Sequence, residues 1–81
     1  MTGFNPTHYV MAGDGLVASI LRTGNGRPGS PRRFLVYWST RADLLNPPKI
    51  ERPTARQAYT DAMAWGRKHF DAVRVERRAR Y

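Results

Sequence analysis

A chain of 81 residues without cysteine has room for one domain with a modest core, and it excludes disulfides and thiolate metal sites. Fourteen Lys and Arg against six Asp and Glu give a formal net charge of +8, and twelve of the fourteen cations are arginine. A field of that sign attracts nucleic acid or acidic protein surfaces, and arginine suits bidentate contacts with phosphate and carboxylate.

The runs "HYVMA" (8–12) and "LVASILR" (16–22) are apolar or β-branched and are joined by Gly13-Asp14-Gly15. The Asp14-Gly15 step between them predicts a hairpin, because glycine accepts the positive φ that a tight turn requires. Residues 23–32 follow as a flexible, basic, glycine-rich hairpin loop. The third run, "RFLVYWST" (33–40), alternates so that Phe34, Val36 and Trp38 share one face and Leu35 and Tyr37 the other. Neither face is purely polar, so both are covered or one is a binding surface. Residues 40–53 read as a long proline-containing connection with room for a turn of helix around Ala42 to Leu45. Asn46-Pro47-Pro48 forbids a continuous helix there, and Pro53 marks the end.

The spacing predicts a helix from Ala55 to about Phe70. Thr54 supplies the N-cap, and Gln57 three residues on completes a capping box. At 100° per residue, Ala55, Ala58, Tyr59, Ala62, Met63, Trp65, Gly66, His69 and Phe70 form one stripe. Arg56, Gln57, Thr60, Asp61, Arg67 and Lys68 lie opposite. The last stretch, "AVRVERRARY", alternates as a strand, with Val73 and Val75 on one side and Arg74, Glu76, Arg78 and Arg80 on the other. The expectation is a single α+β domain over 1–81, ordered β-β-β-α-β, with one helix on a mostly antiparallel four-stranded sheet. A right-handed crossover would set the last strand beside the first and parallel to it, in the order 4-1-2-3.

No motif names a reaction. Gly24, Gly26 and Gly29 spell G-x-G-x-x-G, but a strand follows where a dinucleotide fingerprint needs a helix. Pro28 and Pro31 also remove N–H donors from any phosphate nest. His8 and His69 have no matching carboxylate cluster, and most carboxylates neighbour arginines that keep them ionised, the reverse of what a general acid needs. We expect no enzyme, no metal and no cofactor. No apolar run approaches a membrane span of roughly 18 residues, and "MTGFNPTHYV" has no signal-peptide pattern, so a cytoplasmic protein is expected.

The candidate binding residues are basic and fall into three groups. Arg27, Arg32 and Arg33 belong to the loop and its root; Arg56, Arg67 and Lys68 to the outer helix face; Arg74, Arg78 and Arg80, with Arg77 beside them, to the C-terminal segment. Two groups on one side would make a patch suited to a phosphate backbone.

In gross plan, "HYVMA", "LVASIL" and "RFLVYW", then "TARQAYTDAMAWGRKHF" and "AVRVE", the chain resembles the small phage-encoded anti-CRISPR proteins that act on type I surveillance complexes. The resemblance implies a non-enzymatic inhibitor in a bacterial host that docks on a Cascade-like nucleoprotein complex and blocks target DNA binding. Members that mimic DNA are acidic, so a chain of charge +8 would cover an acidic protein surface or hold DNA aside instead. Two other readings stand beside it. One is a small sequence-nonspecific nucleic-acid-binding protein; the other is an assembly protein, monomer or weak homodimer, that pairs through the sheet face bearing Leu35 and Tyr37.

Overall fold

The computed structural model describes residues 5–24, 28–29 and 31–78. Strands β1 (Asn5–Ala12), β2 (Gly15–Thr23) and β3 (Arg33–Trp38) form the expected antiparallel meander. The β1–β2 turn places its positive φ, 61°, on Gly13, while Asp14 stays negative. That sign pattern belongs to a type II′ turn, so Gly13 rather than Gly15 supplies the left-handed residue.

The connection over 40–53 contains more structure than its prolines suggest. Helix α1 (Thr40–Asp43) is capped by the Ser39 hydroxyl, which accepts from the Ala42 N–H. Strand β4 (Glu51–Arg52) then pairs antiparallel with β3, so the sheet has five strands in the order β4-β3-β2-β1-β5. Ile50 anchors this segment: it is 4% exposed, and its carbonyl accepts from the Val36 N–H at 3.0 Å. The Trp38 indole N–H adds a 2.9 Å bond to the Pro48 carbonyl.

Helix α2 (Ala55–Arg67) starts as its cap predicts, with the Thr54 hydroxyl accepting from the Gln57 N–H at 3.2 Å. It ends three residues before Phe70. The chain turns through Lys68 and His69, and the Phe70 N–H still donates to the Gly66 carbonyl at 2.7 Å, which keeps the Phe70 ring on the core side. Ala72 takes φ 54°, so β5 (Val73–Arg77) begins one residue later than the alternation suggests.

The last strand lies beside β1, as the order 4-1-2-3 requires, but runs antiparallel to it rather than parallel. The reason is β4. A strand pairing antiparallel with β3 carries the chain back across the sheet before α2 begins. The helix therefore returns to the hairpin end, and β5 must run the other way. Ala58, Ala62 and Gly66 of α2 are buried against Val10, Val17, Ala18, Ile20 and Val36. Val17 lies where the β1–β2 register shifts, a bulge that allows both Val17 and Ala18 to be fully buried.

Candidate functional site

Sheet register decides where each arginine lies. Arg22 and Thr23 of β2 pair with Phe34 and Arg33 at the start of β3, and Arg22 also pairs with Asn5 at the start of β1. Arg77 pairs with His8 near the start of β1, and the Arg78 N–H donates to the Thr7 carbonyl at 3.0 Å. Arg52 pairs with Phe34, and α2 begins three residues later. Arg22, Arg32, Arg33, Arg52, Arg56, Arg77 and Arg78 therefore gather at one end of the sheet, the end away from the Gly13-Asp14 turn. The loop-root and C-terminal groups meet there, joined by the first turn of α2.

Two of these seven are occupied. Arg52 Nε donates to Asp61 Oδ2 at 2.7 Å, tying β4 to α2, and Arg33 Nε lies 3.7 Å from Glu51 Oε2. Arg22, Arg32, Arg56, Arg77 and Arg78 are exposed and have no carboxylate partner among the described residues. Three strand spacings separate β3 from β5, so these five charges span about 14 Å. Along a duplex at 3.4 Å per step, that is roughly four base steps. The positive N-terminal end of the α2 dipole points to the same end.

His8 of β1 lies beside Arg77 in the sheet. Its ring packs on Tyr59 of α2 with centroids 4.9 Å apart, and its Nδ1 lies 2.9 Å from the Thr7 hydroxyl. Burial, and secondarily the Arg77 charge, hold the His8 pKa below its ordinary value.

Other candidates are elsewhere. Arg56 and Arg67 share one flank of α2, as their spacing predicts, but eleven residues separate them by about 16 Å, so Arg67 and Lys68 lie at the opposite end. Arg74 belongs to the hairpin: its Nη1 donates to the Gly13 carbonyl at 2.8 Å and its Nε to Glu76 Oε2 at 2.8 Å. Arg27 and Arg80 lie outside the described residues. Arg77 is the residue that alternation undervalued. It shares the side of Val73 and Val75, yet lies far enough along β5 to be exposed.

Arg41 is structural as well. Its guanidinium donates to the carbonyls of Leu16 at 3.2 Å, Ala12 at 2.9 Å and Gly15 at 3.0 Å, and sits 4.7 Å from the Phe70 ring centroid. Arg41 and Arg74 thus hold the β1–β2 turn from two sides. That opposite end of the molecule also carries Asp14, Asp43 and Asp71, and two exposed leucines, Leu44 (79%) and Leu45 (46%).

Among the described residues no group of three His, Cys, Asp or Glu side chains could hold a metal ion, and no helix is long and apolar enough to cross a membrane. Comparison of the chain with protein families, curated proteins and solved structures returns no match.

Proposed function

We propose that this is a non-enzymatic binding protein that engages the phosphates of a nucleic acid, alone or within a nucleoprotein complex, through its arginine-rich end. One observation carries the reading: five exposed arginines from β2, the β3 root, α2 and β5 converge without carboxylate partners among the described residues, while Asp14, Asp43 and Asp71, the acids outside the three ion pairs, lie at the other end. Fixed positive charge spaced along a rigid sheet end matches a repeating anion better than it matches a compact ligand.

The test is a salt titration against duplex DNA. If each of the five arginines neutralises one phosphate, the logarithm of affinity should fall against the logarithm of salt with a slope of about −4.5. Replacing Arg22, Arg56 and Arg77 with Gln should reduce that slope by about 2.7, whereas replacing Arg67 and Lys68 at the far end should leave it unchanged. An equal effect from both sets would refute the site.

The exposed Leu44 and Leu45 favour a second, more specific form of this reading. Phosphate contacts need no apolar tip, and two adjacent exposed leucines suit a protein surface. A partner that is itself a nucleoprotein would use both ends of the molecule. This is the anti-CRISPR-type inhibitor, docking on a type I Cascade-like complex and blocking its target DNA. Leu44→Ser with Leu45→Ser should abolish capture of such a complex while leaving the salt slope on free DNA intact. Capture unaffected by that pair, or no capture by the unaltered protein, would leave the plain nucleic-acid-binding form.

A further inference from the structure

Strand β1 carries one residue more than β2 near its start: Pro6 pairs with Leu21 and His8 with Ile20, which leaves Thr7 between them unpaired in that ladder. A bulge of this kind re-aims the side chain beside it. Here it sets His8 on the helix side, across from core residue Ile20 and in register with Arg77 of β5. The Arg78 N–H bonds the Thr7 carbonyl, so His8 and Arg77 form the next pair along, the one without backbone bonds. Side chains lie closest in such pairs, with Cα atoms about 4.5 Å apart.

Thr7 also fixes the imidazole. Its hydroxyl donates to the Ile20 carbonyl at 3.4 Å, so toward the ring it can only accept, and the 2.9 Å contact is Nδ1–H donating to Thr7 Oγ1. The basic nitrogen of neutral His8 is therefore Nε2, which has no hydrogen-bond partner among the described residues. A proton added there leaves the Nδ1 bond intact and the ring in place on Tyr59.

Among the described residues, the charges that face the ring are all positive. Arg77 stands across from it on β5, Arg22 lies two residues beyond Ile20 on the same side of β2, and Arg56 lies one turn before Tyr59 on α2. The carboxylates of those elements are held elsewhere: Asp61 of α2 by Arg52, and Glu76, on the other side of β5, by Arg74. Burial first and the Arg77 charge second lower the His8 pKa in the free protein. An anion seated on Arg77 offsets the second cause and attracts an imidazolium.

On the basis of the phosphate-binding reading, we propose that His8 is a further cation of the arginine-rich end: phosphates at Arg22 and Arg77 draw a proton onto Nε2, so nucleic-acid binding takes up a proton and tightens in acid. Linkage fixes the sign. The bound state holds the proton more firmly than the free state, so affinity rises as pH falls through the bound-state value and levels off below the free-state value, itself under 6.5. An ion pair open to solvent gives roughly 1.4- to 5-fold in affinity. One more neutralised phosphate steepens the salt slope by about 0.9.

Calorimetric titration of the full chain with a short DNA duplex at pH 7.0 and pH 5.5, each over a salt series, tests the inference, with circular dichroism checking the fold at both. The expected result is tighter binding and a steeper salt slope at pH 5.5. His69→Gln, at the far end, should retain that difference, and His8→Gln should lose it. In the unaltered protein, the NMR titration of His8 should move to higher pH when duplex is added, a readout that needs no variant to fold. Arginine-dependent binding that is equal at both pH values would overturn the inference and leave the phosphate reading standing. So would a His8 titration that duplex leaves unmoved or lowers, or a pH dependence that survives in a folded His8→Gln. No binding of duplex at either pH would overturn both.

Discussion

Gly15 and Arg41 are 26 residues apart in sequence but form one device. A Cβ built on Gly15 would stand 2.7 Å from both Cζ and Nη2 of Arg41, closer than real contacts allow. Gly15 does not require a positive φ, so alanine there is strained only by that guanidinium. The arginine would have to withdraw, giving up three charge-assisted bonds to carbonyls and its place over Phe70. Water replaces part of each bond at this exposed site, so we assign the set about 2 kcal/mol. Gly15→Ala and Arg41→Ala should each cost that amount, or roughly 8–16 °C in Tm for a domain of this size. The double variant should also cost about 2 kcal/mol rather than 4, because each change removes the same contacts. Thermal and urea unfolding of the four proteins, followed by circular dichroism, measures this cycle. Additive losses, or a Gly15→Ala protein as stable as the original, would refute the clamp.

Gly66 is buried in α2, yet a Cβ there meets Val73 at an ordinary 3.5 Å, so Gly66→Ala should raise the urea midpoint by removing a helix-interior glycine worth about 0.5–1 kcal/mol. Ala62 is fully buried within an apolar cluster, so Ala62→Arg should abolish the cooperative melt. Thr54→Ala should cost about 1 kcal/mol, seen as a modest fall in Tm, since it removes one cap bond. His8 titrates below 6.5 in the folded chain, so the stability gained by holding it neutral is complete above pH 6.5 and is lost as pH falls through the lowered folded value. NMR titration of His8 checks the direction, and Arg77→Gln should move its pKa part of the way back up; a His8 that titrates above 6.5 would contradict the packing.

Local pattern determined most of the elements. The Thr54-x-x-Gln57 box marks the start of α2, the alanine and glycine stripe marks its buried side, and alternation in 33–38 groups Phe34, Val36 and Trp38 on one face, which only the fold turns inward. These are short-range consequences of backbone hydrogen bonding and side-chain period, and they need no knowledge of the fold. Direction was different. Two residues of β4, held by buried Ile50 behind the prolines, reverse the chain and make β5 antiparallel; a pairing so short has no sequence period to reveal it. The same long-range register sorts the arginines. Sequence neighbours Arg77 and Arg78 stay together, but Arg56 and Arg67, equivalent on the helical wheel, part to opposite ends. Arg41 and Arg74, indistinguishable from the others in composition, are bound to turn carbonyls. Composition alone set the net charge, whereas only tertiary pairing decided which cations remain without partners among the described residues, because that depends on contacts between residues as far apart as Thr7 and Arg78.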